Sequence, residues 1–79
     1  MEAPRHITEK EFMDHRDARI LELARAIAHS GKNISEIAHA CRLKWDTVYA
    51  ASQCRPVRFD NYCRIQYYLT IISDNTENA

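Results

Sequence analysis

Between Ile34 and Gln53 two short apolar stripes of helical period stand only three residues apart, with no glycine or proline between them. Ile34, Ile37, Ala38 and Cys41 form the first stripe, and Val48 and Ala51 carry the second through a segment from Trp45 to Gln53. Helices this short are marginal on their own, so they must be held by packing. A connection as tight as Arg42-Leu43-Lys44 makes two such helices cross at ~90–120°. At the crossing only a small side chain fits, which is the place of Ala38, while Ile37, Cys41, Leu43, Val48 and Ala51 point inward to hold the angle. The other face of the second helix, with Lys44, Trp45, Asp46, Tyr49, Ala50 and Gln53, is left outside.

The flanking sequence supplies helices to pack against this pair. Thr8 with Glu11 fits a capping box, and Ile7 with Phe12 has the spacing of a hydrophobic staple. From there Phe12, Ile20, Leu23, Ala24 and Ile27 recur at helical steps, interrupted only by Arg16, and Gly31 is placed to end the run with a left-handed residue. The pattern predicts one helix over residues 9–30. Asn33 with Glu36 is a second capping box and starts the helix at Ile34. Beyond Pro56, the stripe Phe59, Tyr62, Ile65, Leu69 and Ile72 predicts a last helix over 59–72. Tyr67 to Ile72 is rich in aromatic and β-branched residues and has local strand character, but the unbroken stripe favours helix. The expected architecture is all-α, a compact bundle of four helices, or five, in a single domain over 1–79, with residues 1–7 and 73–79 as flexible tails.

Composition excludes several classes. At 79 residues the chain can bury one modest core. No apolar run approaches the ~20 residues that span a bilayer, and the first ten residues lack the layout of a secretory signal, so the expected location is cytoplasmic. Cys41, Cys54 and Cys63 are odd in number and form no Cys-x-x-Cys pair, which argues against a disulfide framework and a zinc ribbon; no metal and no cofactor are expected. His39 beside Cys41 is read as a packed pair rather than a nucleophile and base. With no glycine-rich phosphate loop and no recognisable carboxylate pair, no catalytic activity is expected.

Eleven basic and eleven acidic residues cancel over the chain, but their distribution is uneven. Residues 31–58 hold five basic and two acidic groups, whereas both flanks are net acidic. Lys44, Arg55 and Arg58 lie at or beyond the ends of the second short helix, so a local positive face is compatible with a neutral protein.

In this setting the chain resembles the helix-turn-helix of the phage repressor and Cro family, also called XRE-like regulators, over roughly residues 18–72. Ile37-Ala38 stands where the family has its Leu-Ala, Cys41 and Leu43 match the apolar pair around the turn, and Thr47-Val48 matches the Thr-Ile/Val of the recognition helix. Arg55-Pro56-Val57-Arg58-Phe59 and the following stripe resemble the family's loop and next helix. The chain departs from the pattern at Arg42, where the family has glycine and the backbone must take positive φ or a variant turn, and at Lys44, which cannot cap as serine does. The resemblance implies a lambda-repressor-like fold and sequence-specific binding of double-stranded DNA, with helix 45–53 in the major groove of a transcriptional regulator's operator. Base-reading candidates are Lys44, Trp45, Asp46, Tyr49 and Gln53, with Tyr49 able to touch a base methyl or a phosphate. Phosphate candidates are Lys32, Asn33, Ser35, Arg55 and Arg58. A homodimer is expected, through Tyr67, Tyr68, Ile71 and Ile72 or through the long first helix. The competing expectation is a protein-interaction module that keeps the same skeleton without binding DNA, which neutral charge and Asp46 favour.

Overall fold

In the computed structural model, described for residues 7–77 with side chains described through Ser73, five helices follow one another: α1 (Glu9–Asp14), α2 (Arg16–His29), α3 (Ile34–Cys41), α4 (Trp45–Ser52) and α5 (Phe59–Glu77). The fold is an all-α bundle, and no strand occurs among the described residues. Tyr67 to Ile72 is helical, as the continuous stripe requires.

Both capping boxes form. Thr8 Oγ1 accepts from the Glu11 N–H at 3.1 Å while Glu11 Oε1 accepts from the Thr8 N–H at 3.0 Å. Asn33 Oδ1 accepts from the Glu36 N–H at 2.8 Å, and the Glu36 carboxylate returns the contact to the Asn33 N–H at 3.0 Å. Ile7, expected in a flexible tail, packs against the core instead, and the last helix runs past Ile72 to Glu77. Residues 1–6 and 78–79 of the expected tails lie outside the described residues.

The single helix expected over 9–30 is two helices. His15 takes φ −126° and ψ 33°, which breaks the helical path between α1 and α2. The break lets Phe12 turn into the core, where its ring lies 4.6 Å from that of Tyr62 and 5.5 Å from that of Phe59. It also resolves the one charge in the apolar stripe: Arg16 begins α2 on the exposed surface.

Ile20, Leu23 and Ile27 of α2, Ile37 and Ala38 of α3, Val48 and Ala51 of α4, and Tyr62, Ile65 and Leu69 of α5 form one buried cluster with Phe12. Contact is densest between α3 and α4, and α2 and α5 support that pair from behind. Among the described residues no buried polar side chain lacks a partner.

Candidate nucleic-acid interface

The turn between α3 and α4 is built from hydrogen bonds rather than from glycine. Arg42 adopts φ 58° and ψ 45°, the left-handed conformation. Its N–H donates to the His39 carbonyl at 3.2 Å, and the Leu43 N–H reaches back to the Ala38 carbonyl at 2.9 Å. This pair of bonds is a Schellman motif, and Leu43 completes it by packing on the core. The conformation that the family resemblance assigns to glycine is therefore kept by an arginine.

The same device recurs at the far end of α4. Cys54 has φ 62°, its N–H donates to the Ala51 carbonyl at 3.2 Å, and the Arg55 N–H donates to the Ala50 carbonyl at 3.0 Å. Two left-handed residues thus frame α4 and turn the chain sharply at both ends. Both place a cation next to the helix: Arg42 and Lys44 before it, Arg55 and then Arg58 after it.

Val48 and Ala51 anchor α4 with no exposed surface at all, while Lys44, Trp45, Asp46, Tyr49 and Gln53 are exposed. Trp45 and Tyr49, at i and i+4, retain 47% and 40% exposure and stack on each other with centroids 4.9 Å apart and planes 12° from parallel. Their rings pack against one another instead of against the bundle. Lys44 is the N-cap in an extended conformation and makes no side-chain cap hydrogen bond. The N–H groups of the first turn thus lack a side-chain acceptor, and the positive end of the helix dipole faces outward. Asp46 stands in that turn without a capping bond, and Gln53 is the C-cap, its Nε2 donating to Ser52 Oγ at 3.4 Å.

Arg42, Lys44, Arg55 and Arg58 are all exposed, and none is in a salt bridge; among the described residues the one such pair is Lys10–Asp14 at 3.2 Å. The two cation groups bracket an eight-residue helix, which at 1.5 Å per residue is about 12 Å long, close to the width of the major groove at ~12 Å. Lys32, Asn33 and Ser35 are exposed at the opposite end of α3 from the turn, so the structure does not join them to this group. Asn33 Oδ1 is already engaged by the cap, and Glu36 adds a negative charge beside it.

Arg42 is the exposed cation beside α4 that sequence reasoning left out of the candidate group. It entered only as a misfit for glycine, although its charge adjoining Lys44 was a usable signal. The four residues proposed for self-association split between two environments. Tyr68 and Ile72 pack on the core, whereas Tyr67 and Ile71 are exposed by 49% and 37%.

Among the described residues no cluster of histidine, cysteine or carboxylate side chains can hold a metal, and no helix is long and apolar enough to cross a membrane. Cys41 lies buried with its Sγ 3.6 Å from the Arg64 carbonyl, to which it donates, while Cys54 is exposed. No family model, curated protein or solved structure matches the chain.

Proposed function

We propose that this chain is a DNA-binding helix-turn-helix module of a transcriptional regulator, with α4 entering the major groove and no catalytic activity of its own. One observation carries the reading: α4 is buried along one side, bare along the other, and bracketed by four unpaired cations. A duplex offers base edges to such a helix and phosphates to the groups at its ends. Lys44, Trp45, Asp46, Tyr49 and Gln53 face the bases, and Arg42, Arg55 and Arg58 neutralise phosphates. Lys32 and Ser35, at the far end of α3, lie toward a phosphate further along the backbone. Few cations per chain make a single copy a weak binder, so the active form is a homodimer whose two α4 helices occupy successive major grooves ~34 Å apart. Tyr67 and Ile71 are the exposed apolar residues of α5 available for that contact.

The test is binding to duplex DNA across a salt series. Each phosphate neutralised contributes about −0.9 to the log–log slope, so the three contacts per chain give roughly −2.7 and a loss of about 40-fold for a fourfold rise in salt. Replacing Arg55 and Arg58 together by alanine lowers the slope by roughly 2 per chain. Binding that is absent, or indifferent to salt, rules the proposal out. The exposed Trp45–Tyr49 stack and Asp46 favour a second reading, a protein-interaction module on the same skeleton. That reading predicts no measurable affinity for duplex DNA even at low salt.

A further inference from the structure

The outer face of α4 has an unusual chemical content for a helix that meets bases. It carries no arginine between its ends; the residues between the flanking cations that project outward are Trp45, Asp46, Tyr49 and Gln53. Guanine is most often read by a bidentate arginine or lysine, and only Lys44 at the helix cap offers such a group. Gln53 has the amide that pairs with adenine N6 and N7, and Asp46 can accept from the cytosine amino group. The largest part of the face, however, is apolar: two rings, stacked 4.9 Å apart and nearly parallel, forming one ridge along the helix.

In the major groove only one base of the four carries an apolar group, the C5-methyl of thymine. We infer, resting on the DNA-binding reading above, that the Trp45–Tyr49 stack is a thymine-methyl reader and that this chain selects A·T-containing sites, with Gln53 addressing an adenine. Charge complementarity brings the ridge to a duplex: Arg42 and Lys44 at one end of α4, and Arg55 at the other, draw the helix against the phosphates and press the rings toward the groove floor. Prior stacking also removes part of the entropic cost of ordering two large side chains at the interface. Burying one methyl changes affinity by about three- to fourfold, so two methyls give roughly tenfold.

The experiment uses duplexes with a random core of one helical turn or more, prepared once with thymine and once with uracil in every such position, and the unmodified full chain. Uracil keeps every hydrogen-bonding group and lacks only the methyl. Binding is expected to be roughly three- to tenfold tighter to the thymine library, with A·T pairs enriched among the selected sequences. W45A and Y49A, both at exposed positions, are expected to keep the helical circular dichroism of the parent and to lose the thymine preference. R55A weakens both libraries alike and leaves the ratio unchanged. Equal, salt-sensitive binding of the two libraries by the parent chain overturns the methyl-reading inference while leaving the DNA-binding proposal standing. No binding to either library overturns both.

Discussion

The N–H of Leu43 donates to the carbonyl of Ala38 at 2.9 Å, and that bond spans the bend from which the exposed helix α4 departs. It ends α3 three residues beyond Ala38, the small side chain of the crossing, and turns Leu43 back onto the core. Because Arg42 sits between the two in a left-handed conformation, the turn combines a backbone strain with a charge at the proposed interface.

That combination separates stability from binding. Arg42→Gly keeps the left-handed conformation and removes the roughly 1–2 kcal/mol it costs an L-residue, partly offset by the greater freedom of glycine in the unfolded chain, so a net gain of up to about 1 kcal/mol is expected in urea unfolding. Duplex binding should move the other way, with a slope shallower by about 0.9 per chain. Cys54→Gly relieves the equivalent strain at φ 62° without removing a cation, and it should stabilise the fold with DNA affinity unchanged. A loss of stability in both variants contradicts this account of the two turns.

Gly31 gives the opposite case. Its φ is +77° and a Cβ there would meet nothing within 4 Å, so any penalty for Gly31→Ala comes from the backbone alone. The expected loss is about 1–2 kcal/mol, and Gly31→Asn should lose less because asparagine tolerates the left-handed region. Thermal or urea unfolding of the two variants side by side decides it; equal stability of alanine and glycine would show that the position does not need its positive φ.

Ile37 and Val48 have no exposed surface and belong to the cluster that clamps α3 to α4. Ile37→Ala leaves a cavity there and is expected to cost about 2–5 kcal/mol, a large share of the stability of so small a domain. Phe12→Ala, which empties the contact with Phe59 and Tyr62, should cost about 3–5 kcal/mol. Hydrogen exchange distinguishes the two: loss of Phe12 should release α1 first. Uniform release of all five helices by Phe12→Ala would deny α1 an independent docking step.

Burial pushes the Cys41 thiol above its ordinary value, with Arg64 opposing, and raises Cys63 as well, where Asp60 adds to the effect. Desolvation likewise raises the Tyr62 phenol, against a hydrogen bond and charge from Arg19. In each case the protonated form is favoured by folding, so the contribution to stability is full at neutral pH. It declines as the pH climbs past the ordinary values, 9.0 for the thiols and 10.0 for the phenol, and on toward the folded pKa. Unfolding temperatures measured from pH 7 to pH 10.5 should therefore fall at the alkaline end. In the native protein a thiol reagent should modify exposed Cys54 first and buried Cys41 last. Modification of Cys41 at the rate of Cys54 would contradict the burial that explains the shift.

Local chemistry was legible in the order of residues. Capping boxes at Thr8 and Asn33, the glycine at position 31, and the stripes of Ile37, Val48, Ile65 and Leu69 all depend on partners three to four residues away or on a period of 3.6, and both are written along the chain. Those signals located the starts of α1 and α3, the end of α2, and the buried sides of α3, α4 and α5. Other features depended on residues distant in sequence. The break at His15 exists because Phe59 and Tyr62 offer Phe12 a place to pack, and only the folded bundle brings them together. The left-handed Arg42 and Cys54 hold a conformation their own propensity disfavours, because the packing of α3, α4 and α5 outweighs a penalty of about 1–2 kcal/mol per residue. The division of Tyr67 from Tyr68 was likewise decided by tertiary structure, whereas the stacking of Trp45 on Tyr49 is an i, i+4 contact within α4. Helical period assigns a residue to a face, but which faces are covered depends on where the neighbouring helices lie.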